Sequence, residues 1–325
     1  MKKTQVDTNP YKYSDTNKRY QTYDYYLKHT FGGKCMKIPL DAGFTCPNID
    51  GRCSVGGCIY CSDRGSGDFA PESAIPVVEQ FELVKEQLSS KWKTDKYIPY
   101  FQAHTNTYAP TEVIKSKVEP IMKKEGVVAL NIATRADCLE EKTVEYLAEL
   151  AERTVLTVEL GLQTSNDETA RIINRGHTFE DFVSGYQKLR TASSKINICV
   201  HIIFGLPGES REQMLETVCD VARLAPEQVK IHLLHVIRGT SLADMYLNGE
   251  YEPLDKDEYV SITAEALTLL PPKTVIGRLT GDGMQSELLA PDWSKKKTTV
   301  INDIDKFMYD KDIWQGKCCS AYQTL

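Results

Sequence analysis

Four cysteines fall within sixteen residues, in the stretch FTCPNIDGRCSVGGCIYCS: Cys46, Cys53, Cys58 and Cys61. Clustered thiols in a chain of this size point to metal or redox chemistry rather than to a disulfide framework. Two ligand sets fit the spacing. Cys46, Cys58 and Cys61 read C-x(11)-C-x(2)-C, and three thiolates on a cubane [4Fe-4S] cluster leave one iron without a protein ligand, open to a cofactor. All four together read C-x(6)-C-x(4)-C-x(2)-C and could instead close a tetrahedral zinc shell, which would make the chain a zinc-stabilised interaction protein. Gly51, Gly56 and Gly57 let the backbone turn tightly around a bulky group. The tandem Cys318 and Cys319 lie near the end of the sequence, with no second cysteine array to join.

A site of this kind needs a frame, and the rest of the sequence supplies one. Short β-rich runs at 36–40, 97–102, 127–132, 155–160, 198–204 and 229–237 alternate with segments whose apolar residues recur at helical spacing, such as Val77, Phe81, Val84 and Leu88. Ser210 with Gln213 reads as a capping box after GLPGES. Six strand-then-helix units predict an α/β fold, a partial TIM-like (β/α)6 barrel of parallel strands. The cysteines then follow the first strand, at the end of the barrel where such folds place their chemistry. The expected organisation is an N-terminal extension over 1–35, a core barrel over 36–240, and a C-terminal extension over 241–325 with a strand at TVIGRL, closing the barrel's side. His232 and His235, three apart on the sixth strand, are expected to face opposite sides.

The cysteine motif at this position resembles the radical S-adenosylmethionine (SAM) superfamily. The long first gap and the phrase CPN…GGCIYC resemble the branch that contains the Elongator catalytic subunit, and within it a family of stand-alone bacterial proteins without the acetyltransferase domain. The resemblance covers roughly residues 20–315. It implies that Cys46, Cys58 and Cys61 hold a [4Fe-4S] cluster, that the open iron chelates SAM, and that reductive cleavage gives a 5′-deoxyadenosyl radical able to take hydrogen from a substrate. It also implies SAM contacts at the strand ends. Tyr60 lies against the adenine, Thr105 and Asn106 of FQAHTNTYAP at the amino group, and Arg135 of ATRAD as a charged clamp. Glu159 and Gln163 of ELGLQT share one face of a strand, and Gly205 of IIFGLPGES allows close approach to the ring. Cys138 is a candidate to quench a substrate radical, against the plainer reading of a small half-buried residue. A reductant such as flavodoxin or ferredoxin is the implied electron source.

Composition limits the substrate. The net charge is −6, and residues 1–35 carry seven Lys/Arg against three Asp, +4, which leaves −10 for the remainder. That segment holds Tyr11, Tyr13, Tyr20, Tyr23, Tyr25 and Tyr26, so it either tracks phosphates and stacks on bases or wraps the domain and buries its rings. The first option, with the Elongator resemblance, suggests a tRNA wobble uridine; the alternative is a small molecule or cofactor precursor. No run of ~18 apolar residues suits a membrane span, and the N-terminus lacks the apolar stretch of a signal peptide, so the expected location is cytoplasmic.

Overall fold

The computed structural model describes residues 9–319 apart from 63, 66, 68 and 282. Helix α1 (Tyr23–Phe31) is opened by the Thr22 hydroxyl, which accepts the Tyr25 N–H, and closed by Gly32 at φ 71°. Strands and helices then alternate: β1 (Met36–Leu40), α2 (Val77–Ser89), β2 (Tyr97–Phe101), α3 (Thr111–Met122), β3 (Ala129–Thr134), α4 (Glu141–Arg153), β4 (Val155–Gln163), α5 (Asp167–Ile172), α6 (Phe179–Ala192), β5 (Asn197–Phe204), α7 (Arg211–Leu224) and β6 (Gln228–Leu233). The final section carries β7 (Val236–Ile237), α8 (Ser241–Leu247), α9 (Lys256–Leu269), β8 (Val275–Arg278), β9 (Leu288–Ala290) and α10 (Lys297–Asp310).

Strands β1 to β6 pair in sequence order, all parallel, and β8 adds a seventh parallel strand beside β6. The expected six-stranded barrel is therefore seven-stranded. The TVIGRL segment joins the sheet itself, where it satisfies the backbone edge that β6 would otherwise expose. Strands β1 and β8 do not pair, so the barrel stays open on one side. The helix-facing side of the sheet is apolar: Ile38, Leu40, Leu130, Leu156, Val158, Ile198 and Val200 pack with Phe81, Leu147, Phe182 and Val218 in one buried cluster. Helix α6 sits directly on the turn after β3, because a Cβ on Gly185 would lie 2.1 Å from the Ala136 carbonyl oxygen.

The tyrosine-rich N-terminal segment wraps the domain, as the second of its two readings expected. Tyr11 and Tyr20 are buried. The Tyr11 hydroxyl donates to the Pro272 carbonyl at 2.6 Å, and the Ile276 N–H of β8 donates to the Gln21 carbonyl at 2.8 Å. Two of its six rings are thus held in the protein, while Tyr13, Tyr23, Tyr25 and Tyr26 are half-buried. Residues 1–8 of that segment lie outside the described residues. Among the described residues no helix is long and apolar enough to cross a membrane.

Candidate active site at the barrel mouth

The loop after β1 is folded around its own carbonyls. The N–H groups of Ile49 and Asp50 donate to the Cys46 carbonyl, and the Cys61 N–H donates to the Cys58 carbonyl at 2.9 Å, which sets these two cysteines one turn apart. Fully buried Asn48 ties this loop to the α5–α6 connection. Its Nδ2 lies 3.5 Å from Cys58 Sγ and also donates to the carbonyls of Asn174 and Arg175. Arg175 brings Nη1 to 3.9 Å from Cys58 Sγ while Nη2 donates to the Gly161 carbonyl on β4. Between these residues Gly176, at φ 75°, leaves no room for a side chain: a Cβ would sit 2.1 Å from Asn48 Oδ1.

The donor set suits a large anionic group better than a single ion. One zinc with thiolates at about 2.3 Å would draw them to roughly 3.8 Å of one another. Among the described residues the clustered thiols form no set within 4.8 Å, and exposed Cys53 turns its sulfur toward Asp137 Oδ2 at 3.8 Å. The Arg175 guanidinium beside Cys58 supplies charge to balance thiolates. Asn48 Oδ1, Asn106 Oδ1 and Arg175 Nε are buried here without a protein partner, which leaves polar capacity for a bound group. These residues therefore fit an iron–sulfur cluster with a polar cofactor.

The structure places the other expected residues unevenly. Tyr60, Cys61 and Gln163 line a cavity of about 640 Å³ that runs into the barrel. Thr105 and Asn106 are buried under the cysteine loop: the Thr105 N–H donates to the Thr45 carbonyl, and Asn106 Nδ2 is anchored on the Ala103 and Ala133 carbonyls. Gly205 takes φ 87°, and its carbonyl accepts the Tyr251 hydroxyl at 2.7 Å. Arg135 is held by Asp137 through two hydrogen bonds and by the Arg175 carbonyl, so it braces the loop more than it clamps a ligand. Cys138 is buried in the turn after β3, away from the cavity lining, and burial pushes its thiol up to about 12.

Glu159 departs furthest from expectation. Oε1 accepts from Lys37 Nζ at 3.1 Å and Asn131 Nδ2 at 2.7 Å, and Oε2 accepts from His201 Nε2 at 2.8 Å and from Lys230 Nζ. Two donors on each oxygen occupy the carboxylate's lone pairs, so it has no acceptor position left for SAM. Burial pushes its pKa up, but Lys230, Lys37 and His201 outweigh that and hold it well below the carboxylate range. His232 and His235 also differ from expectation. Both line the cavity, because β6 ends at Leu233 and the strand alternation ends with it.

Comparison with known proteins places this geometry in context. The sequence model described as "Radical SAM superfamily" matches residues 48–221, and one described as "Radical_SAM C-terminal domain" matches 226–310. The uncharacterized protein YtqA of Bacillus subtilis is 46% identical over 312 residues, 96% of each chain. A protein named tRNA uridine(34) acetyltransferase from Methanocaldococcus jannaschii is 34% identical over 147 residues, which is 44% of this chain and 26% of that one. In fold, the chain resembles the archaeal Elp3 of Methanocaldococcus infernus with an N-terminal deletion. The TM-score is 0.64 at 23% identity, over 86% of this chain and 64% of that one.

Proposed function

The chain belongs to the radical SAM superfamily, and from that premise we propose that Cys46, Cys58 and Cys61 hold its [4Fe-4S] cluster at the barrel mouth. As a member it is an iron–sulfur, SAM-dependent enzyme. When bound, cluster and SAM supply a 5′-deoxyadenosyl radical that removes a hydrogen atom from the substrate. The observation that carries the assignment is the cysteine loop itself. Two of its thiols lie one turn apart, a buried guanidinium stands 3.9 Å from one of them, and unpartnered polar atoms surround it.

The protein's own residues have separable tasks in this reading. Asn48, Arg175 and Arg135 hold the loop in place and offset thiolate charge. Tyr60 and Gln163 line the cavity and orient SAM there, while Gly205, at φ 87° with Leu254 packed 3.2 Å from where a Cβ would stand, fixes the turn at the fifth strand's end. Thr105 and Asn106 stand on the amino-group side, where Asn106 Oδ1 has no protein partner. Anaerobic reconstitution with iron and sulfide counts, then dithionite, SAM and an assay for 5′-deoxyadenosine, tests the assignment. Four irons per chain are expected, with product lost in Cys46→Ala, Cys58→Ala and Cys61→Ala and kept in Cys53→Ala. Bound zinc with no iron uptake and no SAM cleavage refutes it.

For the substrate, the reading is a wobble uridine of tRNA, supported by the 147-residue likeness to a protein named for uridine 34 of tRNA. Nucleoside analysis of tRNA from cells lacking the protein tests this directly. A changed wobble uridine is expected, and an unchanged nucleoside profile refutes it.

A further inference from the structure

The inner face of the barrel carries a polar layer that SAM cleavage leaves unused. Lys37 on β1 and Lys230 on β6 reach across the interior to the same carboxylate, Glu159 on β4. Both ammonium groups also lie over the Tyr100 ring, at 4.1 and 4.9 Å from its centroid. Two cations thus share one anion. Glu159 is fully buried, and Lys230 nearly so. His201, also on Glu159, is held neutral because burial and Lys230 pull it down to about 4, and burial keeps the Tyr100 hydroxyl beside the same carboxylate protonated. Burial pulls Lys37 down to about 8 against the pull of Glu159, so below that pH the pair and its counter-ion carry a net charge of +1.

Burial of uncompensated charge is costly, and such charge is retained where something arrives to meet it. The lysines are not sealed in: Lys37, Lys230 and Tyr100 line the cavity that also reaches Tyr60 and Cys61. Beside them His232 lines the same cavity, its ring 5.1 Å from that of His201. Its Nε2 is buried with no protein partner. Of the described charged residues along the cavity wall, Lys34, Lys37, Lys230 and Arg278 are basic and Asp24 alone is acidic. Asp24 is paired with Lys28.

We propose that this layer is the substrate's anchoring subsite, and that it takes an oxyanion of the substrate, a carboxylate or a phosphate, on Lys37, Lys230 and His232. Its place deepens the function proposed above and rests on that reading for the location of the reacting end. An anion held here lies inside the barrel, with the rest of the substrate directed toward the mouth where Tyr60 and Cys61 stand. Glu159 is then a positioning residue that holds both ammonium groups in the site when no substrate is bound.

Calorimetric titration of the full chain with acetate and with inorganic phosphate, at fixed ionic strength against a chloride control, tests the subsite. No SAM turnover is needed, so a failure here is distinct from a failure of SAM cleavage. Saturable one-site binding is expected for at least one anion. Acetate alone assigns a carboxylate, phosphate alone a phosphate ester, and either result supports the subsite. Lys230→Met should weaken binding at least tenfold. Should that variant not fold, Glu159→Gln gives an independent reading with the opposite sign, because it removes the competing anion and should tighten binding by about tenfold. Absence of saturable binding in both wild type and Glu159→Gln overturns the proposal. So does binding that folded Lys230→Met and Glu159→Gln both leave unchanged, since the anion then sits elsewhere.

Discussion

Replacing Gly176 with alanine should loosen the cysteine loop without touching a cysteine. The position has φ 75°, and the new Cβ would meet Asn48 Oδ1 at 2.1 Å, Asn48 Cγ at 3.1 Å and Cys53 Cβ at 3.3 Å. The left-handed backbone alone costs an L-residue ~1–2 kcal/mol. Relief of the clash requires Asn48 to move, which gives up its bonds to the Asn174 and Arg175 carbonyls, each worth about 1 kcal/mol net. The expected loss is ~3–4 kcal/mol, with lower iron content after reconstitution because Asn48 no longer stands beside Cys58. A double-mutant cycle isolates the cause. In an Asn48→Ala background the clash with the amide is absent and only a tight 3.3 Å approach to Cys53 Cβ is left, so Gly176→Ala should cost little beyond the backbone part, about 1–2 kcal/mol. Urea unfolding of the four chains gives the numbers. Equal cost in both backgrounds, or a single mutant within about 0.5 kcal/mol of wild type, refutes the coupling between this glycine and the loop.

Three further outcomes follow from the packing and charge. Gly185→Val should destabilise by more than ~2 kcal/mol, read by thermal unfolding, because its Cβ would press on the Ala136 backbone at 2.1 Å. Arg175→Leu should reduce cluster uptake while Arg175→Lys keeps part of it, since charge beside Cys58 is retained but the anchor on Gly161 is not; iron content after reconstitution decides. For pH, burial pulls both His201 and His235 down to about 4 from an ordinary value of 6.5. Below pH 6.5 the unfolded chain takes up protons that the folded chain refuses. The stability these two neutral histidines contribute is therefore complete above pH 6.5 and falls as pH drops toward 4, by about 3 kcal/mol for each at ~1.4 kcal/mol per pKa unit. His201→Gln should flatten that fall in urea midpoints measured from pH 7 to 4.

The sequence was legible where one side of an element is apolar. The run MKIPL marks β1 over Met36–Leu40, and the Ser210–Gln213 capping box opens α7 as its pattern says. The seventh strand was visible as a β-rich run, but nothing in TVIGRL says which edge it joins; pairing with β6 is decided by an open backbone edge, not by side chains. Arg175 and Asn174 lie in an Asn-Arg-Gly turn that reads as an ordinary surface connection, and only the fold brings it against Cys58. Glu159 was recognisable as unusual, a carboxylate in a run of valines and leucines. Its partners Lys37, Asn131, His201 and Lys230 are likewise polar residues set in largely apolar strands. Polar residues recurring on the inward face of successive strands are the trace of a charged interior, and reading each strand alone conceals it.

The wrapping segment has a consequence for how the chain is made. Tyr11 bonds to Pro272, 261 residues later. The Gln21 N–H donates to Gln315 Oε1, 294 residues away. Gln315 in turn donates through Nε2 to the carbonyls of Pro271 and Thr274. The first part of the described chain to leave the ribosome is thus among the last to find its partners. Throughout synthesis its buried tyrosines have no surface to cover, and the edge of the growing sheet has no strap. Contacts this distant in sequence close late and slowly, so the length of time these rings stay exposed is set by the time translation takes to reach Pro272 and Gln315.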